Sequence, residues 1–173
     1  MDSSRVSLRT FKLSDVDDFL EWASDDQVTQ FLLKWKVFTS RDEALNFIKD
    51  ICIPHPCCRS ICLDDRSIGF ISITPSFGDD KCRADIGYAI ATKYWGQGIA
   101  AIAVKMALAS GFKDFHDVVR LQAKTDLENK ASQRVLEKAG FFKEGMLRKY
   151  CFHRGQIRDL VIYSFLVTET VLN

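Results

Sequence analysis

Apolar and polar residues alternate along several stretches of the chain, and other stretches are rich in β-branched residues. Both patterns are typical of β-strands. The predicted strands are Arg5–Phe11, Arg59–Leu63, Ile68–Thr74, Ala84–Ala91, Val118–Thr125, Phe142–Phe152 and Arg158–Val167. The last two flank His153–Gln156, which predicts a hairpin turn.

Helices are predicted where apolar residues recur every three to four positions between capping and breaking residues. Ser14 and Ser40 precede such runs and are followed by acidic residues, so both are expected to be N-caps. The run after Gly98 is apolar nearly all round, and a helix of that kind is expected to be covered on most sides. The predicted helices run from Ser14 to about Ser24, from Ser40 to Pro54, from Gly98 to about Phe112, and from Asn129 to Ala139.

These elements indicate an α+β fold. We expect a mixed, mostly antiparallel sheet of about six or seven strands, with about four helices and one strand–helix–strand crossover near residues 84–125. The length of 173 residues suits one domain, which we expect to span residues 1–173.

Composition narrows the classes of function. Hydrophobic residues make up 47% and charged residues 27%, and the formal net charge is +1. No global field therefore attracts nucleic acid or an anionic membrane, and we expect neither as a partner. No apolar run reaches the roughly 20 residues of a membrane span. The first residues lack the features of a signal peptide, so we expect a cytoplasmic protein, with the nucleus as the alternative.

The cysteines form no C-x-x-C pair, which favours free thiols in a reducing compartment. Pro54–Cys58 has the composition of a metal site, but no second ligand pair has zinc-like spacing, and we expect no metal. The six cysteines are Cys52, Cys57, Cys58, Cys62, Cys82 and Cys151.

A glycine turn lies between a predicted strand and the apolar helix. A helix N-terminus exposes about four unpaired amide N–H groups and a partial positive charge. Glycines before it let an anion approach the backbone closely, which makes this turn a candidate cradle for a pyrophosphate. The donors would be the amides of Gly96, Gln97, Gly98, Ile99 and Ala100.

Two other interpretations fit the same glycines. One is a tight connection that binds nothing. The other is the dinucleotide fingerprint G-x-G-x-x-G/A, which Gly96-x-Gly98-x-x-Ala101 matches. Against the second, residues 92–95 separate the strand from the first glycine, and too little chain follows for a doubly wound sheet. Asp126 also lies farther along the chain than the acidic residue that binds the ribose in that fingerprint.

Three segments, Ala84–Tyr88, Tyr94–Ala100 and Asn129–Phe141, resemble the GNAT superfamily of acetyltransferases. The nearest likeness is to the RimJ/RimL-type enzymes, which acetylate N-termini of ribosomal proteins. The resemblance covers nearly the whole chain, including the closing hairpin with Arg158-Asp159, and implies a three-layer α/β/α fold whose sheet is splayed at its centre. The family's Q/R-x-x-G-x-G/A motif matches at Gly98-Ile99-Ala100, with Trp95 where Gln or Arg is usual.

The resemblance also implies acetyl-CoA as the cofactor. Its pantetheine would run beside the strand that holds Ile86, Tyr88 and Ile90, and its phosphates would lie on the glycine turn with Trp95. Asn129 and Ser132 would contact the cofactor as well. Lys130 and Arg134 are candidates for the 3′-phosphate, although such charged residues are often simply solvated.

Acylation of an amine by a thioester requires a neutral amine and a stabilised leaving thiolate. Asp85 matches a position where other family members carry a general base, and it is our candidate for a base or a water relay. The alternative is a carboxylate that orients the amine or pairs with a nearby arginine. Ser132 shares a helix face with Asn129 and is our candidate for hydrogen bonding to the leaving sulfur. The alternative makes Asn129 only an N-cap and Ser132 only a first-turn residue.

Other residues are better explained by structural or solvent-exposed positions than by catalysis. His153, in a hairpin turn, and His116, in a loop, are expected to be structural or solvated rather than bases. Asp79-Asp80 is expected to be a solvated loop rather than a site for a cationic amine. Trp22, Phe31, Trp35 and Phe38 fit either an acceptor pocket or core packing.

We therefore expect an enzyme that transfers acetyl directly to a primary amine on a small molecule or a protein N-terminus. A non-catalytic acyl-CoA-binding module is the alternative, and a dinucleotide-binding domain is the third class. The protein is expected to be a monomer or a homodimer.

Overall fold

The computed structural model describes residues 2–33 and 35–168, so both ends of the predicted domain fall outside it. The chain divides into two compact units. Of the described residues, the first comprises those within 2–72 and 88–103, and the second comprises those within 73–87 and 104–168. Among the described residues, no helix combines the length and the apolar character that a bilayer crossing requires.

Each of the seven predicted strands is present. Most boundaries differ by one or two residues: the first strand ends at Arg9 rather than Phe11, and Val118 and Val119 precede the fifth strand although the prediction included them. The strands are β1 Val6–Arg9, β2 Cys58–Leu63, β3 Arg66–Pro75, β4 Arg83–Ile90, β5 Arg120–Asp126, β6 Phe142–His153 and β7 Gln156–Leu166.

The strands pair in the order β1-β2-β3-β4-β5-β7-β6. The pairs β1–β2, β2–β3, β5–β7 and β6–β7 are antiparallel, whereas β4 and β5 are parallel, with Arg83 beside Arg120 and Asp85 beside Gln122. The predicted fold class, an α+β fold with a mixed and mostly antiparallel sheet, is confirmed. A doubly wound parallel sheet is excluded.

The predicted helices are present, with one addition. The four-residue helix α2 is too short to produce a periodic pattern; its N-cap is Asp25, which accepts the amide of Gln27 at 2.8 Å. The predicted cap at Ser40 is confirmed by its hydrogen bond from the amide of Glu43. The helices are α1 Val16–Ala23, α2 Asp26–Thr29, α3 Arg41–Phe47 with a π-helical turn Ile48–Cys52, α4 Ile99–Asp114 and α5 Lys130–Lys138.

One helix prediction is wrong in detail. Ser14 is not an N-cap: it lies inside the 3₁₀ turn Leu13–Asp15, and the carboxylate of Asp15 accepts the amide of Lys12 instead. Helix α4 is buried or half-buried at most of its residues and has one exposed face, in agreement with the expectation that it is covered on most sides. The exposed residues are Lys105, Met106, Ala109, Ser110, Lys113 and Asp114.

The first unit has an aromatic core. Trp22 stacks on Phe70 with ring centroids 5.4 Å apart, and Phe19 packs edge-on against Trp22 at 4.8 Å. Trp22 and Phe38 are almost completely buried, and Trp35 packs against the same cluster. For these three residues, core packing is therefore the interpretation that the structure supports.

Strands β3 and β4 approach closely just before the glycine turn. A Cβ added to Gly69 would lie 2.2 Å from the carbonyl oxygen of Ala89, so only glycine fits there. The amide of Ala91 then donates to the carbonyl of Ile68 at 2.9 Å. We predicted a bulge or a close approach at Gly87, which is exposed; the close approach at Gly69 was not predicted. Gly69 fixes the end of β4, from which the glycine turn begins.

The second unit has an aliphatic and aromatic core. Leu121, Leu160 and Tyr163 are fully buried on β5 and β7. Burial and a hydrogen bond to Glu137 raise the pKa of Tyr163 to about 12. This core joins α5 to the sheet, because Glu137 lies on α5 and Tyr163 on β7.

Candidate active site

The glycine turn of the first unit is open to solvent. A 3₁₀ turn, Thr92–Tyr94, leads from β4 into it. Gly96 and Gly98 have φ angles of +76° and +81°, a region that residues with a Cβ rarely adopt. Both glycines and Gln97 are exposed, and a Cβ added to either glycine would meet nothing within 4 Å.

Helix α4 begins directly after these glycines. Ile102 donates its amide to the carbonyl of Gly98 at 3.3 Å, so the amides of Gly98 through Ala101 precede the hydrogen-bond ladder of the helix. The buried side chain of Ile99 anchors this end of the helix in the core. The exposed glycines are followed by backbone amides that have no partner within the helix and by the positive end of the helix dipole. This arrangement fits a diphosphate.

The side chain of Trp95 is hydrogen-bonded within the protein. Its side chain is at the surface, with 46% of the residue exposed, but its indole Nε1 donates to the carbonyl of Ile90 at 2.7 Å. Gln97 Nε2 donates in the same way to the carbonyl of Lys93 at 3.3 Å. Trp95 ties the turn to the end of β4, and Gln97 ties it to the 3₁₀ turn Thr92–Tyr94. Where the family motif has Gln or Arg, this chain therefore has a residue that braces the backbone.

Along β4, the residues predicted to lie beside pantetheine differ in burial. Ile86 and Ile90 are buried, and Tyr88 is half-buried.

Asp85 is held by two neighbours from β5. Its Oδ1 lies 3.1 Å from Nζ of Lys124 and accepts a hydrogen bond of 3.1 Å from Nε2 of Gln122. Its side chain is 43% exposed, so water reaches it. The predicted pairing with a cation is present, although the partner is a lysine rather than an arginine.

A polar network continues from Gln122 across the sheet. Arg120 donates to Gln122 Oε1 at 3.2 Å and forms two hydrogen bonds of 2.6 Å with Glu144. Ser164 donates to the same glutamate at 2.7 Å. Chiefly because Arg120 hydrogen bonds to it, the pKa of Glu144 is lowered to about 2.

Asn129 and Ser132 lie together at the start of α5. Asn129 is the N-cap, and its Oδ1 accepts the amide of Ser132 at 3.0 Å. The predicted cap is therefore confirmed, and it places Ser132 in the first helical turn. Lys130 and Arg134 are exposed on the same helix.

Sequence reasoning missed the residue that braces this region. Arg158 on β7 contacts Asp126 through Nε at 2.7 Å and Glu128 through Nη2 at 2.8 Å. The hydrogen bond to Asp126 raises the pKa of Arg158. Asp126 is thereby committed to an ion pair, which removes it as a ribose partner. The only signal in the sequence was Arg158 itself, within the hairpin that resembles the family.

The histidines and the acidic loop are the remaining candidates. His153 lies at the predicted hairpin turn: it ends β6 and pairs with Gln156, and Arg154 and Gly155 are the two central residues of the turn, both with positive φ angles. His116 is exposed in a turn, as predicted. Asp80 pairs with Arg83 at 2.7 Å. In residues 2–33 and 35–168, no group of three or more His, Cys, Asp or Glu side chains is arranged to hold a metal ion.

Comparison with known proteins identifies the family. A family model described as an acetyltransferase (GNAT) domain matches residues 5–142. The N-acetyltransferase p20 of Bacillus licheniformis is 31% identical over 173 residues, which cover 96% of each chain.

Two solved structures have the same fold. An acetyltransferase of the GNAT family from Bacillus anthracis has a TM-score of 0.81 and 28% identity, over 94% of this chain and 95% of that one. Mycobacterium smegmatis RimJ, in complex with a CoA disulfide, has a TM-score of 0.80 and 26% identity, over 95% of this chain and 83% of that one. The chain therefore belongs to the GNAT family of N-acetyltransferases.

Proposed function

We propose that the chain, as one domain spanning residues 1–173, transfers an acetyl group from acetyl-CoA directly to a primary amine. The amine nitrogen attacks the thioester carbonyl carbon, the carbon–sulfur bond breaks, the amine loses a proton, and the thiolate of CoA gains one. No acyl-enzyme is required, because the thioester is already activated. The observation that carries the proposal is the exposed glycine turn at the start of α4.

In this proposal the turn holds the diphosphate of acetyl-CoA. Backbone amides from Gly96 to Ala100 donate to the phosphate oxygens, and the positive end of the α4 dipole adds to the attraction. The exposed Arg134 and Lys130 reach the 3′-phosphate. Ile86, Tyr88 and Ile90 line the path of the pantetheine. RimJ of Mycobacterium smegmatis, which has the same fold, forms a complex with a CoA disulfide.

Ser132 acts on the leaving group in this scheme. Its hydroxyl donates a hydrogen bond to the sulfur as negative charge develops there. The support is its place in the first turn of α5, where Asn129 fixes its amide. A hydroxyl on a capped helix start is positioned by the backbone rather than by a mobile loop.

Asp85 acts on the amine. Its exposed carboxylate takes the amine proton through a water molecule, or it holds the cationic amine in place before the proton is lost. Lys124 and Gln122 hold the carboxylate in place at 3.1 Å each, and this supports the orienting role. The two roles differ in the pH profile: Asp85→Asn abolishes the acidic limb of kcat/KM if Asp85 is the base, and raises KM for the amine with the limb retained if it orients.

The acceptor is a primary amine, on a small molecule or at a protein N-terminus, and the protein acts as a monomer or a homodimer. The resemblance of the sequence to the RimJ/RimL-type enzymes, which acetylate N-termini of ribosomal proteins, supports the N-terminus among these acceptors.

Two measurements test the function. Acetyl-CoA should raise the melting temperature, because a ligand at 100 times its Kd stabilises the folded state by about 2.7 kcal/mol; NADH should leave it unchanged. Release of free thiol from acetyl-CoA should then depend on amines, tested with N-terminal peptides and small amines. Stabilisation without thiol release for any amine would identify a binding module. Stabilisation by NADH alone would contradict the proposal.

A further inference from the structure

The turn that precedes α5 is tightly hydrogen-bonded within itself. The Oδ1 atom of Asp126 accepts the amide of Glu128 at 2.8 Å, and its carbonyl accepts the amide of Asn129 at 3.0 Å. Gln133 Nε2 donates to the same carbonyl at 3.3 Å. Asp126 therefore fixes the position of Asn129, and the side chain of Asn129 caps the first turn of α5.

Strand β7 braces this turn from outside. Arg158 donates through Nε to Asp126, through Nη2 to Glu128 and through Nη1 to Gln156 at 3.0 Å. The carbonyl of the next residue, Asp159, accepts the amide of Leu127 at 3.0 Å. A planar guanidinium makes these contacts in three directions at once, whereas a lysine ammonium is a single point charge.

We propose that Arg158 is a positioning residue for acetyl transfer: through Asp126 it holds Asn129 and, with it, Ser132. The inference rests on the role proposed for Ser132. The effect of Arg158 is exerted through its contacts with Asp126 and Glu128 in the turn before α5. A displacement of about 1 Å at a reacting group lowers the rate by roughly 100-fold, so loosening this brace should lower kcat more than the affinity for either substrate.

The chain contains a matched control in the first unit. Arg9 donates through Nη1 and Nη2 to Asp15 at 2.7 and 2.8 Å, and through Nε to Asp65 at 3.1 Å. The side-chain exposures are 19%, 7% and 74% for Arg9, Asp15 and Asp65, against 18%, 2% and 73% for Arg158, Asp126 and Glu128. Arg9→Lys therefore removes a similar forked contact without touching the turn before α5.

The experiment compares Arg158→Lys, Arg9→Lys and the wild type. We expect similar falls in melting temperature for both variants, but a decrease in kcat of about 10- to 100-fold for Arg158→Lys alone. Amide hydrogen exchange of residues 127–133 should accelerate in Arg158→Lys and remain unchanged in Arg9→Lys. Glu128→Gln removes the charge from only the exposed arm of the fork and should leave kcat within about twofold.

The inference is overturned if Arg158→Lys keeps the wild-type kcat, or if exchange in residues 127–133 stays unchanged. If Arg158→Lys does not fold, Asp126→Asn gives the same test, since its amide side chain still offers an oxygen to Glu128 but loses the charge that Arg158 binds. If the wild-type protein acetylates no amine, the proposed function fails, and the exchange measurement still decides whether Arg158 holds the turn.

Discussion

Gly98→Ala tests whether the glycine turn binds the diphosphate, because it places a side chain at the proposed binding surface. Gly98 has a φ angle of +81° and is exposed, and a Cβ there would meet no protein atom within 4 Å. Alanine therefore introduces two effects. The first is backbone strain of about 1–2 kcal/mol. The second is a methyl group at the surface that we propose for the diphosphate.

Gly155→Ala separates these effects. Gly155 has a φ angle of +77° and also has no atom within 4 Å of an added Cβ, but it lies in the β6–β7 turn of the second unit. The strain should be similar in the two variants. For a chain of this size each kcal/mol lowers the melting temperature by about 2–4 °C, so both variants should melt about 2–8 °C below the wild type.

Only Gly98→Ala should weaken binding of CoA. Hydrogen bonds from backbone amides to a charged phosphate contribute about 1.5–3 kcal/mol each, so the loss of one raises the Kd by about 10- to 150-fold. Isothermal titration calorimetry with CoA measures this directly. If Gly98→Ala binds CoA with wild-type affinity while melting like Gly155→Ala, the glycine turn does not hold the diphosphate.

Three further predictions use other residues. Ser132→Ala should lower kcat by about 10-fold or more with an unchanged Kd for CoA, measured by thiol release and calorimetry; an unchanged kcat contradicts its role. Trp95→Phe loses the indole bond to the carbonyl of Ile90 and should lower the melting temperature by about 2–4 °C for about 1 kcal/mol; wild-type melting would refute the brace. Because the pKa of Glu144 is lowered from 4.5 to about 2 in the folded protein, its ionised carboxylate stabilises the fold above pH 4.5, and this stabilisation is lost as the pH falls toward 2. The difference in unfolding free energy between wild type and Glu144→Gln should therefore shrink from pH 5 to pH 2 in urea titrations; a constant difference contradicts the cause.

The sequence was sufficient for the elements whose signals are local. Alternation and β-branched residues predicted all seven strands, and Ser40 and Asn129 were recognised as caps because a cap acts on an amide only three residues away. The glycine turn was recognised for the same reason: its two glycines and the helix that they precede are contiguous. Helix α2 was missed because it has only four residues, too few for the apolar periodicity of a helix to appear in the sequence.

Contacts between distant residues could not be predicted in this way. Gly69 is required by the carbonyl of Ala89, twenty positions later in the chain, and nothing near Gly69 indicates it. The pairing of Asp85 with a cation was considered, but the strand register that makes Lys124 its partner was not available from the sequence. The roles of Asp85 and Ser132 in catalysis stay predictions.

Two forked arginines illustrate why charge patterns alone do not reveal a site. Arg9 and Arg158 each bind one buried and one exposed carboxylate, and the exposures of the paired side chains are similar. In both cases the buried aspartate also accepts a backbone amide, that of Lys12 for Asp15 and that of Glu128 for Asp126. The difference lies in what the braced turn carries: the first turn leads into α1, which packs its apolar face in the aromatic core, whereas the second leads into the helix that presents Ser132. An ion pair of this kind becomes relevant to catalysis through the backbone that it fixes, and a side-chain inventory of the chain cannot rank the two pairs.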